Sequence, residues 1–506
     1  MNFPVWELGF APGLLIAIMA ILHVFVSHFA VGTGLFLVLT ERKAYRNNDH
    51  DLLTFLKKHS LVFIMFSVVF GAITGVGIWF VIGLINPAAT SSLIHGYVFG
   101  WAIEWVFFII EILSGLIYYY GWNRLSRKIH LTIGWIYFIA AWMSMVIING
   151  IITFMLTPGG WLKNHEFWTG FFNPTYWPSL ASRTFWSFAL AGIYALLTGS
   201  FQKDANFHKR ITRYAGVWVI ISMILSALGL VWYWHAMPDS VLQAAAGAMP
   251  ITTTMLHAGY ILFIVTIVVV FLTTLVLPRL NIPPVAILVM LLSLGIFGAS
   301  EWVRESVRKP YTIHGYIYSN GIFPANIPDI NQNGVLLWAK WISDEAKSVK
   351  DPVRTGAEIF RIECKSCHTI SGYMGIADKI KGWDKEFIFE ITGRLPNLRG
   401  QMAPFAGTVE ERWLLAEYLL TLTGEPRTYA DGRDVFQDRC AICHTVGGFR
   451  NIAPLVADFS FDELNKSILP GLPDMNGQMP ALTVDEDARA KLAKYLESLK
   501  RTEVSK

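Results

Sequence analysis

The chain has 506 residues, of which 54% are hydrophobic, 14% aromatic and only 15% charged. Soluble globular chains carry nearer a quarter charged residues, so this composition argues against an ordinary soluble enzyme and for a membrane protein. A formal net charge of +4 is too small to call for a nucleic-acid partner.

The first residues, MNFPVWELGF, lack a basic n-region and contain Glu7. The apolar run behind them is too long for the core of a signal peptide and is read as a retained transmembrane helix. A spanning helix needs about 20 mostly apolar residues. Eight runs qualify, at 10–40, 60–84, 96–121, 130–157, 182–201, 213–235, 252–277 and 284–304. Their connections alternate in Lys and Arg. The first, ERKAYRNNDHDLLTFLKKH, the third, WNRLSRKIH, the fifth, FQKDANFHKRITR, and the seventh, LPRLNIPP, are basic. Between them, NPAATSS and HAMPDSVLQAAAGAMP carry no Lys or Arg, and 158–181 carries only Lys163. The excess of Lys and Arg on cytoplasmic loops then predicts both ends of the spanning region outside.

Behind Arg308 the composition changes. A turn-rich stretch with Pro310, Pro324 and Pro328 reads as a linker, and from about residue 340 the chain is charged and soluble in character. This tail repeats itself. Phe360, Cys364, Cys367 and His368 recur in the same spacing as Phe436, Cys440, Cys443 and His444, which uses all four cysteines. Each Cys-x-x-Cys-His is followed by a methionine near proline, Met402 in QMAPF and Met479 in QMPAL, and then by an amphipathic closing helix.

Cys-x-x-Cys-His is the attachment pattern of haem c: two thioethers to the porphyrin, and a proximal histidine on the iron. A later methionine completes a Met/His pair suited to electron transfer. The expected iron ligands are therefore His368 with Met402 and His444 with Met479; Met374 and Met475 are weaker alternatives. A zinc site of four cysteines would need no histidine after each pair. A disulfide is chemically open outside the cytoplasm, but it would not explain the repeated Phe, His and Met. The tail, 354–506, resembles class I cytochromes c. Haem c is attached on the outer face of the membrane, which agrees with the loop charges.

Ionisable residues within spans are costly and are functional candidates by default. His23 and His28 fall on the first span, and Glu104 and Glu111 on the third, two turns apart on one face. Met255 and His257 fall near the outer end of the seventh. Glu301, Arg304, Glu305 and Arg308 form a stripe on the eighth. The competing reading of that stripe is a self-paired, snorkelling helix end.

LHVFVSHFAVGTGLFLVLTE, FGAITGVGIWF, WAIEWVFFIIEILSGLIYYYGWNRL, RKIHLTIGW and IINGIITFMLTP resemble the first four helices of subunit I of cytochrome bd oxidases. SVRKPY resembles a later stretch of that family, and the likeness covers about 1–312. It implies dioxygen reduction at high-spin haems d and b, fed by quinol through a low-spin haem b. Residue by residue, it gives His23 as an axial histidine and Glu104 and Glu111 as acidic groups near haem d and its proton path. Glu301 is the nearest available carboxylate for the other high-spin haem, with Glu305 as competitor. The family's low-spin histidine falls on Arg183, while its methionine partner falls on Met255. His257 or His235 would be a substitute ligand near the outer surface. The quinol loop is reduced to HAMPDSVLQAAAGAMP.

These readings combine into an all-α, polytopic helix bundle followed by two tandem cytochrome c domains. The expected boundaries are 1–309 for the membrane domain, 310–350 for the linker, and 351–426 and 427–506 for the cytochrome domains. The expected function is a bacterial inner-membrane respiratory subunit with its cytochrome domains on the periplasmic side. It would carry two haems c and one or more membrane haems, b and possibly d. Its donor would be a periplasmic cytochrome or other redox protein rather than quinol, and its partner a second membrane subunit. The competing reading is a non-catalytic electron-transfer subunit of a larger complex.

Overall fold

The computed structural model describes residues 6–243, 245, 250–342, 344, 348 and 350–499. Among the described residues, eight helices are long and apolar enough to cross a membrane: α1 (Pro12–Arg46), α2 (His50–Ile85), α3 (Val98–Gly121), α4 (Arg127–Leu156), α5 (Tyr176–Gly199), α6 (Ala205–His235), α7 (Ile251–Val276) and α8 (Pro283–Arg308). Local signals fix several starts. Asp49, Ser126 and Asp204 accept hydrogen bonds from Leu52, Ile129 and Phe207 backbone N–H groups at the heads of α2, α4 and α6. Pro12 opens α1 and Pro283 opens α8, where a missing N–H costs nothing.

The helices run past the apolar segments that announce them. α1 continues through Glu41 to Arg46, and α4 already starts at Arg127. Charged turns at both places are therefore helix rather than loop. α5 is the central helix, with Ala189, Leu190, Ala191 and Ile193 fully buried. Outer faces stay apolar: Ile73, Val76, Phe99 and Ile264 are all exposed, as residues facing lipid are. The heads of α2 and α6 are joined by an Arg210–Asp49 pair at 2.9 Å.

The turn-rich stretch behind α8 divides its packing. A two-stranded antiparallel hairpin, β1 (Tyr311–Ile313) and β2 (Ile317–Tyr318), buries Ile313 and Ile317 in the membrane-domain core. Asn86 ties it to the end of α2, donating to Thr312 Oγ1 at 3.1 Å and to the Ser319 carbonyl at 3.2 Å. From Ile322 onward, Ile330, Val335, Leu336 and Ile342 belong instead to the core of the first cytochrome domain. Glu411 holds that segment by accepting from the Val335 and Leu336 backbone N–H groups at 2.8 and 2.9 Å.

The first cytochrome domain is built on α9 (Pro352–Glu363), α10 (Lys385–Thr392) and α11 (Val409–Leu420), and the second closes with α12 (Glu486–Ser498). Each domain has its own apolar core. The helix before each Cys-x-x-Cys-His crosses the closing helix at a glycine. A Cβ on Gly356 would lie 2.7 Å from Tyr418 Cβ, and one on Gly432 would lie 2.7 Å from Tyr495 Cβ. The sequence repeat is thus a repeat of packing.

Candidate functional site

The two Cys-x-x-Cys-His segments have the same local geometry. His368 Nδ1 meets the Met374 carbonyl and His444 Nδ1 meets the Arg450 carbonyl, each at 3.2 Å. A carbonyl only accepts, so both Nδ1 atoms carry hydrogen and both Nε2 atoms present a lone pair. A hydrogen bond of this kind orients an imidazole for iron. Burial lowers the proton affinity of both rings outside the membrane, which favours the neutral form that a metal needs. All four cysteines are free and partly buried; burial pushes the Cys440 thiol up to about 12. Among the described residues no group of three or more His, Cys, Asp or Glu could hold a bare metal ion. Two cysteines followed at once by a carbonyl-oriented histidine form in each domain the donor set that haem c takes. Met402 and Met479 are half-buried, and Met402 packs against the first domain's core. Met374 and Met475 are exposed.

The second motif rests on the first domain. Ile442 and Cys443 pack against that domain's core. Arg399 N–H donates to the Ile442 carbonyl at 2.7 Å, and Arg450 Nη1 to the Asn397 carbonyl at 2.5 Å. Trp383 Nε1 reaches the buried Asp438 at 3.3 Å.

The first motif faces the membrane domain. Lys365 pairs with Glu7 at 2.5 Å, and Arg361 lies 3.6 Å from the same carboxylate. Tyr373 meets Trp302 of α8 edge-on, with centroids 5.9 Å apart. Trp302 sits beside Glu301, whose Oε2 pairs with Arg304 at 2.7 Å and whose Oε1 lies 3.5 Å from Arg183. Glu305 is paired with Arg308 and, at 3.0 Å, with Lys309. The charged stripe at the end of α8 is thus internally paired, and Arg183 of α5 joins it.

Deeper in the bundle, His23 Nδ1 meets the Gly71 carbonyl at 3.1 Å, which leaves Nε2 as a lone pair. Gly75 lies under the ring; a Cβ there would come 3.0 Å from His23 Cε1. A free imidazole nitrogen over a glycine surface fits an axial haem ligand. His28 is fully buried, bonds the Val24 carbonyl at 2.7 Å and packs edge-on to Phe297. Its Nε2 has neither partner nor accessible surface, so no space adjoins it for a ligand. Met255 is half-buried, whereas His257 and His235 are exposed.

Glu104 accepts from Ser144 Oγ at 2.8 Å, and Glu111 accepts from Tyr137 Oη at 3.1 Å. Both contacts join α3 to α4. Sequence reading missed a third contact on the same seam. Glu41 is fully buried; it accepts from Tyr118 Oη at 2.7 Å and meets His130 Nδ1 at 2.7 Å. Assigning Glu41 and His130 to cytoplasmic loops hid this pair. The available signal was spacing: 104, 111 and 118 on α3, and 130, 137 and 144 on α4, each seven residues apart.

Residues 14–236 match the family model for cytochrome bd terminal oxidase subunit I. Residues 351–419 and 427–496 each match that of the cbb3-type cytochrome c oxidase subunit III. No curated protein matches the chain. Among solved structures, the bd oxidase from Geobacillus thermodenitrificans is similar with a TM-score of 0.51 at 17% identity, over 61% of this chain and 89% of that one. At that identity the likeness speaks for the fold alone. The chain therefore joins a membrane region that matches the cytochrome bd oxidase subunit I model to two regions that match a cytochrome c model.

Proposed function

We propose that this protein is the catalytic membrane subunit of a respiratory oxidase that takes electrons from an outer-face redox protein, one at a time, and reduces dioxygen to water. The observation that carries the reading is the seat of the first cytochrome domain. Its Cys-x-x-Cys-His segment lies against Glu7 and, through Tyr373 and Trp302, against the end of α8 that bears Glu301 and Arg304. A one-electron path from tail to bundle is thereby short. The reduced loop between α6 and α7 supports a donor other than quinol.

In this reading His368 and His444 hold the two haems c, with Met402 and Met479 as sixth ligands and Cys364, Cys367, Cys440 and Cys443 as thioether donors. His23 supplies an axial imidazole in the membrane. Glu301, its charge offset by Arg183 and Arg304, is the candidate carboxylate ligand. Met255 and His257 are the remaining candidates near the outer surface. Haem bound there, b or d, would supply iron able to bind dioxygen. Glu104 holds a proton at its carboxyl, oriented by Ser144, and Glu111 another, oriented by Tyr137. Four protons and four electrons convert each dioxygen to two waters. The proposed setting is a bacterial cytoplasmic membrane, with the tail in the periplasm and a second membrane subunit beside the bundle.

One observation favours a non-catalytic relay subunit instead: both oxygens of Glu301 are already engaged by arginines, which competes with iron ligation. Reduced spectra with and without carbon monoxide separate the two. The oxidase reading expects a ligand-induced shift of a membrane haem. Only low-spin b and c bands, unmoved by carbon monoxide, would overturn it. The His23→Ala variant is expected to lose one membrane haem in a pyridine haemochrome count; an unchanged count refutes the ligand role.

A further inference from the structure

The α3–α4 seam carries three polar rungs. Glu104 meets Ser144, Glu111 meets Tyr137, and Tyr118 lies against His130, with ring centroids 4.2 Å apart. Seven residues separate successive rungs on each helix, about 10 Å of rise. The seam therefore runs straight from the end near α8's charged stripe to the basic end of the bundle.

The rung at the basic end has an unusual proton count. His130 Nε2 lies 2.9 Å from the Tyr118 carbonyl, and a carbonyl only accepts, so Nε2 carries hydrogen. His130 Nδ1 lies 2.7 Å from Glu41 Oε1. A bare lone pair facing a carboxylate oxygen at that distance would repel it, so a proton lies between them too. Whether written as imidazolium with carboxylate or as imidazole with carboxylic acid, the pair holds one exchangeable proton. Glu41 Oε2 accepts from Tyr118 Oη at 2.7 Å, and Trp122 closes the site with its ring 4.5 Å from His130. Tyr45, one turn from Glu41, is half-buried, and the exposed Arg127 covers its ring at 4.9 Å.

Inward, the interval to Glu111 is not wholly apolar. Tyr137 Oη lies within reach of two acceptors, Glu111 at 3.1 Å and the Ala30 carbonyl of α1 at 3.3 Å, so its single hydrogen can serve either. Thr33, one turn further along α1, buries a hydroxyl with no hydrogen-bond partner, and Ser67 buries its hydroxyl against Tyr137. A buried hydroxyl without a partner is costly, and a transient water would satisfy Thr33.

We infer that Glu41 and His130 form a proton-loading site at the basic end of the bundle, filled from water past Tyr45 and emptied along the α3–α4 seam to Glu111 and then Glu104. In each cycle the pair releases its proton inward and takes one from the aqueous side, with no net change in the pair. This deepens the proposed function and rests on its assignment of Glu104 and Glu111 as proton carriers.

The test measures proton uptake with a pH-indicating dye on anaerobic reduction of the purified full complex, beside dioxygen consumption in air. Glu41→Gln is expected to slow uptake at least tenfold while haem c reduction by the donor keeps its rate. Glu41→Asp is expected to recover most of the uptake, which a purely structural clamp would not show. Equal uptake in wild type and Glu41→Gln overturns the inference, as does absence of reduction-linked uptake in the wild type. Uptake that depends on Glu41 in a protein that consumes no dioxygen would overturn the oxidase reading and leave the loading site standing.

Discussion

Replacing Gly356 by alanine tests the packing on which the first haem c site depends. A Cβ at this position would lie 2.7 Å from Tyr418 Cβ and 2.9 Å from the Leu414 carbonyl carbon, both on α11. Ordinary carbon contacts sit at about 3.5–4.0 Å, so α9 and α11 must separate by roughly 1 Å. The obstacle is helix backbone and cannot rotate away, which places the cost near the upper end of the about 1–3 kcal/mol usual for overpacking. For a domain of this size, a loss of about 3 kcal/mol lowers the unfolding midpoint by roughly 12–24 °C. Because α9 leads directly into Cys364, the displacement also moves the attachment segment. Thermal scans that follow Soret-band circular dichroism are expected to show one of two haem c transitions shifted down by that amount. The matching Gly432→Ala change is expected to shift the other. A Gly356→Ala protein with the wild-type midpoint and full haem content would refute the claim that this crossing has no room.

Two further changes contrast buried with exposed charge. Asp438 is 5% exposed and is bonded by Tyr429, Arg427, Arg439 and Trp383; Asp438→Ala leaves the buried Arg439 with only Asp384, at 3.5 Å, as a carboxylate partner and is expected to cost about 3 kcal/mol, the lower end for a broken buried pair, read as early unfolding of the second cytochrome domain. Lys365→Glu breaks a pair whose side chains are 33% and 46% exposed; it is expected to destabilise the first cytochrome domain by less than about 1 kcal/mol, with the Glu7→Lys, Lys365→Glu double change restoring the wild-type midpoint at low salt.

Hydropathy alone carries most of the membrane architecture, because a spanning segment must be apolar over its full length whatever it packs against. All eight runs correspond to helices, with ends displaced where charged turns stay helical, as at Glu41–Arg46. The Cys-x-x-Cys-His segments are equally legible, since attachment needs those residue types within one turn of chain. The pairing between helices is less so. Glu41 and His130 sit in basic strings that look like loops, and only the fold sets them 2.7 Å apart. The division of the 310–342 stretch between two cores was hidden for the same reason: Ile313, Ile330 and Leu336 have no helical or strand period long enough to read. Arg183 shows the reverse case. It stands out in the sequence as an arginine on a buried helix, but its partner Glu301 lies 118 positions away and emerges only from packing.

The seat of the first cytochrome domain also constrains how the protein is made. Cys364 and Cys367 flank Lys365, which is pinned to Glu7, and Tyr373 just beyond them is held against Trp302. An enzyme that joins porphyrin to both sulfurs must surround that segment. Porphyrin attachment is therefore expected to precede closure of the tail against the N-terminal segment, so that docking would mark a finished chain.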